Sequence, residues 1–362
     1  MARFSAKPPR SGPRDHGTVR GKAQGRKFSN MFRTAPPLPS GGPLSDSAKP
    51  ATAPLVTILL LTYQHEKFIA EAIGGVLSQT YEPLEIIILD DASQDATAEI
   101  IAAELAKWPN RTDVRLIRND RNLGFRGNTV LGLIEAHGEF IVRLGGDDIA
   151  APDLIKRMVE VWQAKDVSLV TVNAAYIDAA SKPLNRFHRD PTGLHDTSFE
   201  TLARDGVNAV CFGAAIGFER ALCLAYSWPP EYLQASDIMM PFYAYLAKGA
   251  SFISEPLIQY RFHSSNLSAS LAAERSASPV DKLLAEEHIF YLHLAHAFFM
   301  DEELLRLSCR HHGRYSAIAK TIRPLLAIQK SEMARKLVDA RIKLHELGVT
   351  RLTAPSLPGR RG

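Results

Sequence analysis

Three short polar segments each follow an apolar run and bear the groups of this chain best suited to chemistry. They are Thr62-Tyr63-Gln64-His65-Glu66, Asp90-Asp91-Ala92-Ser93 and Gly145-Gly146-Asp147-Asp148. Adjacent carboxylates repel, so a bound cation or hydrogen-bond donors usually stand between them. Hard oxygen ligands with no cysteine or histidine nearby favour Mg2+ or Mn2+, ions that share their coordination with phosphate oxygens. The bland alternative for Asp147-Asp148 is a solvated turn that caps a helix. For Asp90-Asp91 it is that Asp90 ends a strand and Ser93 caps the next helix. Asp91 is placed to accept hydrogen bonds from a base or a ribose. Neither GxGxxG nor GxxxxGK[ST] follows the first apolar run, which counts against an NAD enzyme or a P-loop NTPase.

These segments must be held by the elements around them, and the hydrophobic pattern supplies those elements. LVTILLL (55–61), LEIIILD (84–90), DVRLIRN (113–119), GEFIVRL (138–144) and VSLVTVNA (167–174) read as strands. Helices are expected between them at 65–79, 95–108, about 125–136 and 152–165, with Pro109 stopping the second. Apolar strands alternating with helices predict an α/β fold with a mostly parallel sheet covered on both faces. In such sheets ligands bind at the carboxyl ends of the strands, where all three polar segments fall. From about 280 onward the pattern becomes helical, with helices expected at 281–300, 314–329 and 331–347. Packing on the sheet domain is the plain role for these helices. Homodimerisation or contact with a membrane surface is the alternative.

Charge is distributed unevenly. Residues 1–54 carry 10 Lys and Arg against 2 Asp and Glu, with 9 of the 22 prolines, and read as a disordered basic tail. Residues 275–362 carry 15 against 9, and the body between carries 18 against 28. An acidic body argues against nucleic acid as a partner. Cys211, Cys223 and Cys309 form no CxxC pair, which excludes a disulfide framework and suits a reducing, cytoplasmic setting. The N-terminus shows no secretory apolar core, and no run reaches the ~20 apolar residues of a spanning helix.

The residues also resemble a known family. The run VTILLLTYQHEKFIAEAIGGVLSQTYEPLEIIILDDASQDAT is similar to the opening of family 2 glycosyltransferases: a strand, a T-Y-N/Q turn, a helix ending L-x-Q-T and a strand ending D-D-x-S. Asn119–Asp148 resembles their next segment, N-x-x-N-x-G to D-D. Ser236-Asp237 resembles their E-D motif. Tyr260-Arg261-Phe262-His263, with Asn266 and Ser268, resembles their Y-R-x-H-x-x-N-x-S ending.

The resemblance implies a GT-A fold over 55–270; the helical extension at 271–350 and the frayed end at 351–362 lie outside it. It implies an inverting, nucleotide-diphospho-sugar-dependent glycosyltransferase of the hexosyl class that uses Mg2+ or Mn2+. Thr62, Tyr63 and Asp91 fall where the family contacts the base, and Glu66 and Arg126 match nucleotide-site positions. Asp147 and Asp148 fall on the D-x-D region that holds ribose and metal. Asp237 falls on the catalytic base, and His263 lies near the metal or the diphosphate, a core histidine being the other reading. The implied donor is a UDP- or dTDP-sugar, and the implied acceptor a glycan or lipid-linked glycan at the inner face of a membrane, as in polysaccharide biosynthesis. Two departures stand out: the first acid of D-x-D-D is Gly145, and the first acid of E-D is Ser236. A degenerate binding scaffold on the same fold is the alternative. A sugar-1-phosphate nucleotidyltransferase would need a G-x-G-T-R-type loop where TYQHE stands.

Overall fold

The structure is a computed structural model of the 362-residue chain. It describes residues 53–109, 113–193, 195, 197–205, 211–225, 236–263, 266, 278–310 and 313–349. Nearly all of the basic tail and the whole C-terminal end at 351–362 lie outside the described residues.

Four parallel strands form the half of the sheet that carries the three polar segments. They are β1 (Val56–Thr62), β2 (Leu84–Asp90), β3 (Val114–Arg118) and β4 (Phe140–Gly145), in the order β3-β2-β1-β4. Every residue of β1 is buried, as a central strand covered on both faces requires. Helices α1 (Ile69–Leu77), α2 (Thr97–Ala106) and α3 (Gly124–Glu135) connect them. On α1, Ile69, Ala72, Ile73, Val76 and Leu77 are buried in one stripe. The expected strands and helices of this half are all present, with ends shifted by up to four residues.

The second half is less regular. After β4 come the two-residue β5 (Ile149–Ala150) and α4 (Leu154–Lys165), and then β6 (Leu169–Asp178), which outruns the expected 167–174. The strand β7 (Pro183–Phe187) folds back on β6, α5 spans Phe199–Asp205, β8 spans Ala215–Glu219 and α6 spans Arg220–Ala225. Helix α7 (Ser236–Ala247) leads into β9 (Ala250–Phe262). The sheet continues from β4 through antiparallel β8 to β6, parallel β9 and β5. This is the α/β, mostly parallel architecture expected, with the expected helices C-terminal to it.

Those helices are two rather than three. Helix α8 spans Pro279–Arg310, and α9 runs unbroken over Arg314–Glu346 through Pro324, where two separate helices were expected. Proline removes one helical hydrogen bond. Contacts with α8 bind both sides of the interruption: Asp301 accepts from Arg323 Nε and Lys330 Nζ at 2.6 Å each, and Glu287 accepts from Arg341 Nε at 2.8 Å. The hairpin packs against α5 and α7 of the sheet domain. No helix among the described residues is long and apolar enough to cross a membrane.

Candidate active site

The site forms where the loops after β1, β2 and β4 meet the end of β9. Backbone bonds knit the three loops together: Asp91 N donates to Thr62 O at 3.0 Å, and Gly146 N donates to Leu61 O at 2.7 Å. Two non-glycine residues in these loops take left-handed backbone, Gln64 at φ 54° and Ala92 at φ 60°. Such conformations cost roughly 1–3 kcal/mol each and cluster at functional sites. Gln64 N is held by Ser93 Oγ at 2.9 Å, so Ser93 braces the first loop and does not cap α2. At that helix start, Asp95 takes Thr97 N. Glu66 is exposed and joins the same clasp: its carboxylate accepts Ala96 N at 3.1 Å, and its own N donates to Asp95.

Asp91 is 3% exposed. Its Oδ1 accepts Asn119 Nδ2 at 2.7 Å and Leu123 N at 2.8 Å, just ahead of α3. Asn128, itself anchored to Leu89 O, fixes the Asn119 amide through its Oδ1 at 3.0 Å. Thr62 is buried beside this strand end, whereas Tyr63 is exposed. Arg126 lies on α3, half-buried.

Around Asp147 Oδ2 stand three donor-capable groups. His263 Nε2 lies at 3.2 Å, Asn266 Nδ2 at 3.3 Å and His65 Nε2 at 3.9 Å. Burial pushes the Asp147 carboxyl up, but the His263 bond and the charge of His65 outweigh it and hold the group below its usual value. Asp148 behaves oppositely. It is buried, its Oδ1 accepts Arg261 N at 2.9 Å, and burial together with the Asp147 charge pushes its carboxyl well above the usual range. Burial also lowers His65, partly opposed by the Asp147 charge.

The missing first acid has a local counterpart. A Cβ on Gly145 would stand 2.6 Å from Asp147 Oδ1, so the Asp147 carboxylate occupies the space a side chain there would need. A Cβ on Gly146 would stand 2.9 Å from both Thr62 Oγ1 and His65 Nδ1, two buried polar atoms that make no hydrogen bond.

Asp147 Oδ2 and His263 Nε2, hydrogen-bonded at 3.2 Å, are the groups here that could hold a divalent ion. Among the described residues no three His, Cys, Asp or Glu side chains form a metal-holding group. The remaining positions would fall to ligand oxygens and water, as is usual for Mg2+.

The structure thus brings Thr62, Asp91, Asp147, Asp148 and His263 to one sheet edge. Asp237 is the second residue of α7, and its side chain is outside the described residues. His65, Asn119, Asn266 and Arg261 also shape the site. All four stand inside quoted motifs, and their signal was polar character at a strand end or, for Arg261, a charge within a strand.

Residues 57–225, a little under half of the chain, match the model of glycosyl transferase family 2. A glycosyltransferase of Haemophilus influenzae is 34% identical over 125 residues, covering 34% of this chain and 37% of the relative. A glycosyltransferase of Nostoc is 27% identical over 226 residues, covering 61% and 69%. The succinoglycan biosynthesis protein ExoO of Rhizobium meliloti is 33% identical over 134 residues, covering 37% of each chain. The match spans little more than a third of the first and third of these relatives.

Proposed function

We propose that this chain transfers a hexosyl group from a nucleotide-diphospho-sugar, UDP- or dTDP-linked, to a hydroxyl of a glycan or lipid-linked glycan, with inversion at the anomeric carbon. The observation that supports it most is the convergence of buried Asp91 and the Asp147–His263 pair at the carboxyl ends of β2, β4 and β9, with both aspartates inside the segment that matches the family 2 model. The name of the succinoglycan biosynthesis relative supports a polysaccharide product.

In this reading Thr62, Tyr63 and Asp91 grip the base and ribose, with Glu66 and Arg126 at the margin. Asp147 and His263 would hold Mg2+ or Mn2+, with Asp148 beside them. When bound, the ion would stabilise negative charge on the departing diphosphate. Asp237 takes the proton of the acceptor hydroxyl, which is a poor nucleophile until a carboxylate across the sugar accepts that proton. The catalytic unit is 55–270, with 271–350 as a helical extension packed on it. The enzyme works in the cytoplasm at the inner face of the membrane.

Purified full-length protein assayed with UDP-, dTDP- and GDP-sugars, with and without Mn2+, tests this. Asp237→Asn should lose transfer by roughly 10²–10⁴-fold, the usual contribution of a general base, yet keep nucleotide binding. Absence of both binding and turnover with every donor would refute the proposal.

A further inference from the structure

Arg261 is a large side chain with 0% exposure, set at the end of β9. We infer that Arg261 is the positioning residue of this site, and that it is locked from behind by Ser181 and Glu71. The inference rests on the function proposed above for Asp147 and His263.

On the site side, Arg261 Nε donates to Asp147 O at 2.8 Å, and its backbone N donates to Asp148 Oδ1 at 2.9 Å. Its carbonyl accepts Asn266 Nδ2 at 2.9 Å, the amide that also reaches Asp147 Oδ2. The guanidinium lies 4.9 Å from the centroid of the Phe68 ring, and that ring packs on His263 with centroids 4.5 Å apart. Of the groups around the Asp147 carboxylate, Asn266 therefore touches Arg261 directly and His263 is reached through Phe68. The bonds to Asp148 and from Asn266 use the Arg261 backbone, whereas the bond to Asp147 O and the Phe68 contact belong to the guanidinium, whose planar fork also reaches Ser181, which a lysine ammonium cannot match.

On the far side, Arg261 Nη1 donates to Ser181 Oγ at 2.7 Å, and Nη2 lies 3.4 Å from Glu71 Oε2. Ser181 Oγ donates in turn to the Glu71 carboxylate at 2.8 Å. Ser181 takes left-handed backbone at φ 62° in the turn between β6 and β7. An unfavourable conformation held in place by its surroundings points to a role for the side chain it presents. The side-chain contacts of Ser181 and Glu71 that lead toward the site run through Arg261.

The test uses the full-length protein with Ser181→Ala, Glu71→Gln, their double variant and Arg261→Lys. Read-outs are the melting temperature, deuterium exchange of residues 145–150, calorimetric binding of UDP with Mn2+, and kcat and KM for donor and acceptor separately. The double variant should stay folded with a lowered melting temperature, since a buried guanidinium loses an acceptor and its countercharge; exchange at 145–150 should rise and donor KM weaken, each roughly tenfold, as a locally loosened segment would behave. Acceptor KM should not change. Arg261→Lys should lose roughly 10²-fold in kcat/KM, as expected when reacting groups are misplaced by about 1 Å. Unchanged exchange in the double variant, or unchanged UDP–Mn2+ binding where the wild type binds, would overturn the inference. A wild type that neither binds nor turns over any donor would defeat the functional proposal, and exchange at 145–150 would then decide the positioning role by itself.

Discussion

Gly146→Ala is a sharp probe of the loop packing, because the surrounding atoms set its cost. The added Cβ would meet Thr62 Cβ at 2.8 Å, with Thr62 Oγ1 and His65 Nδ1 at 2.9 Å. Carbon atoms rest at about 3.5–4.0 Å, so a gap of roughly 0.7 Å or more must open. Thr62 cannot readily supply it, since it pairs with Asp90 in the sheet and its carbonyl holds Asp91 N. The turn 145–148 must move instead, weakening the 2.7 Å bond from Gly146 N to Leu61 O and carrying Asp147 with it. Overpacking of this kind costs about 1–3 kcal/mol. A shift approaching 1 Å at a reacting group costs up to ~10²-fold in rate. Urea unfolding and donor turnover should both register the change. Gly74→Ala is the control: nothing lies within 4 Å of its Cβ, and a mid-helix alanine should add about 0.5–1 kcal/mol of stability. A Gly146→Ala protein within ~0.5 kcal/mol of wild type, and within about twofold in kcat/KM, would refute the packing argument.

Two further substitutions probe the network. Asp91→Ala strips Leu123 N of its acceptor and Asn119 Nδ2 of one of its two, and should cost about 1–3 kcal/mol, chiefly for the Leu123 N–H left unpaired. Asp91→Asn, which keeps an oxygen, should recover most of that loss, and a fully stable alanine variant in urea would contradict the assignment. Glu85 gives a pH signature: burial pushes its carboxyl up, but bonds from Thr57, His137 and Arg115 outweigh that and bring it down to about 2. A depressed carboxylate stabilises fully above its ordinary value of 4.5 and ceases to do so as pH falls toward 2. The stability advantage of wild type over Glu85→Gln should therefore be full above pH ~5 and shrink below it, and an equal difference at pH 3 and pH 6 would count against this reading.

Strands β1 and β2 were legible in the sequence because a central parallel strand is apolar on both faces, so its pattern survives without knowledge of its neighbours. Strand β9 was not, although it is the longest. Its register against β6 shifts at Val172–Ala174, and Glu255-Pro256 interrupts its alternation, so no clean period of two remains. This matters for the site, because Asp147 meets His263 across 116 residues and Asn266 across 119. The motifs held both partners, but only the folded β9 brings them to the turn after β4. The same holds for Arg261, which reads as one charge in LIQYRF and turns out wholly buried because the turns around it supply acceptors. Gly145 carries the argument furthest. Read alone, it is a lost acid; in the fold, its missing side chain leaves the volume into which the Asp147 carboxylate turns. Restoring an acid at 145 would therefore displace Asp147 from His263 rather than add a ligand beside it, since a Cβ there already stands 2.6 Å from Asp147 Oδ1.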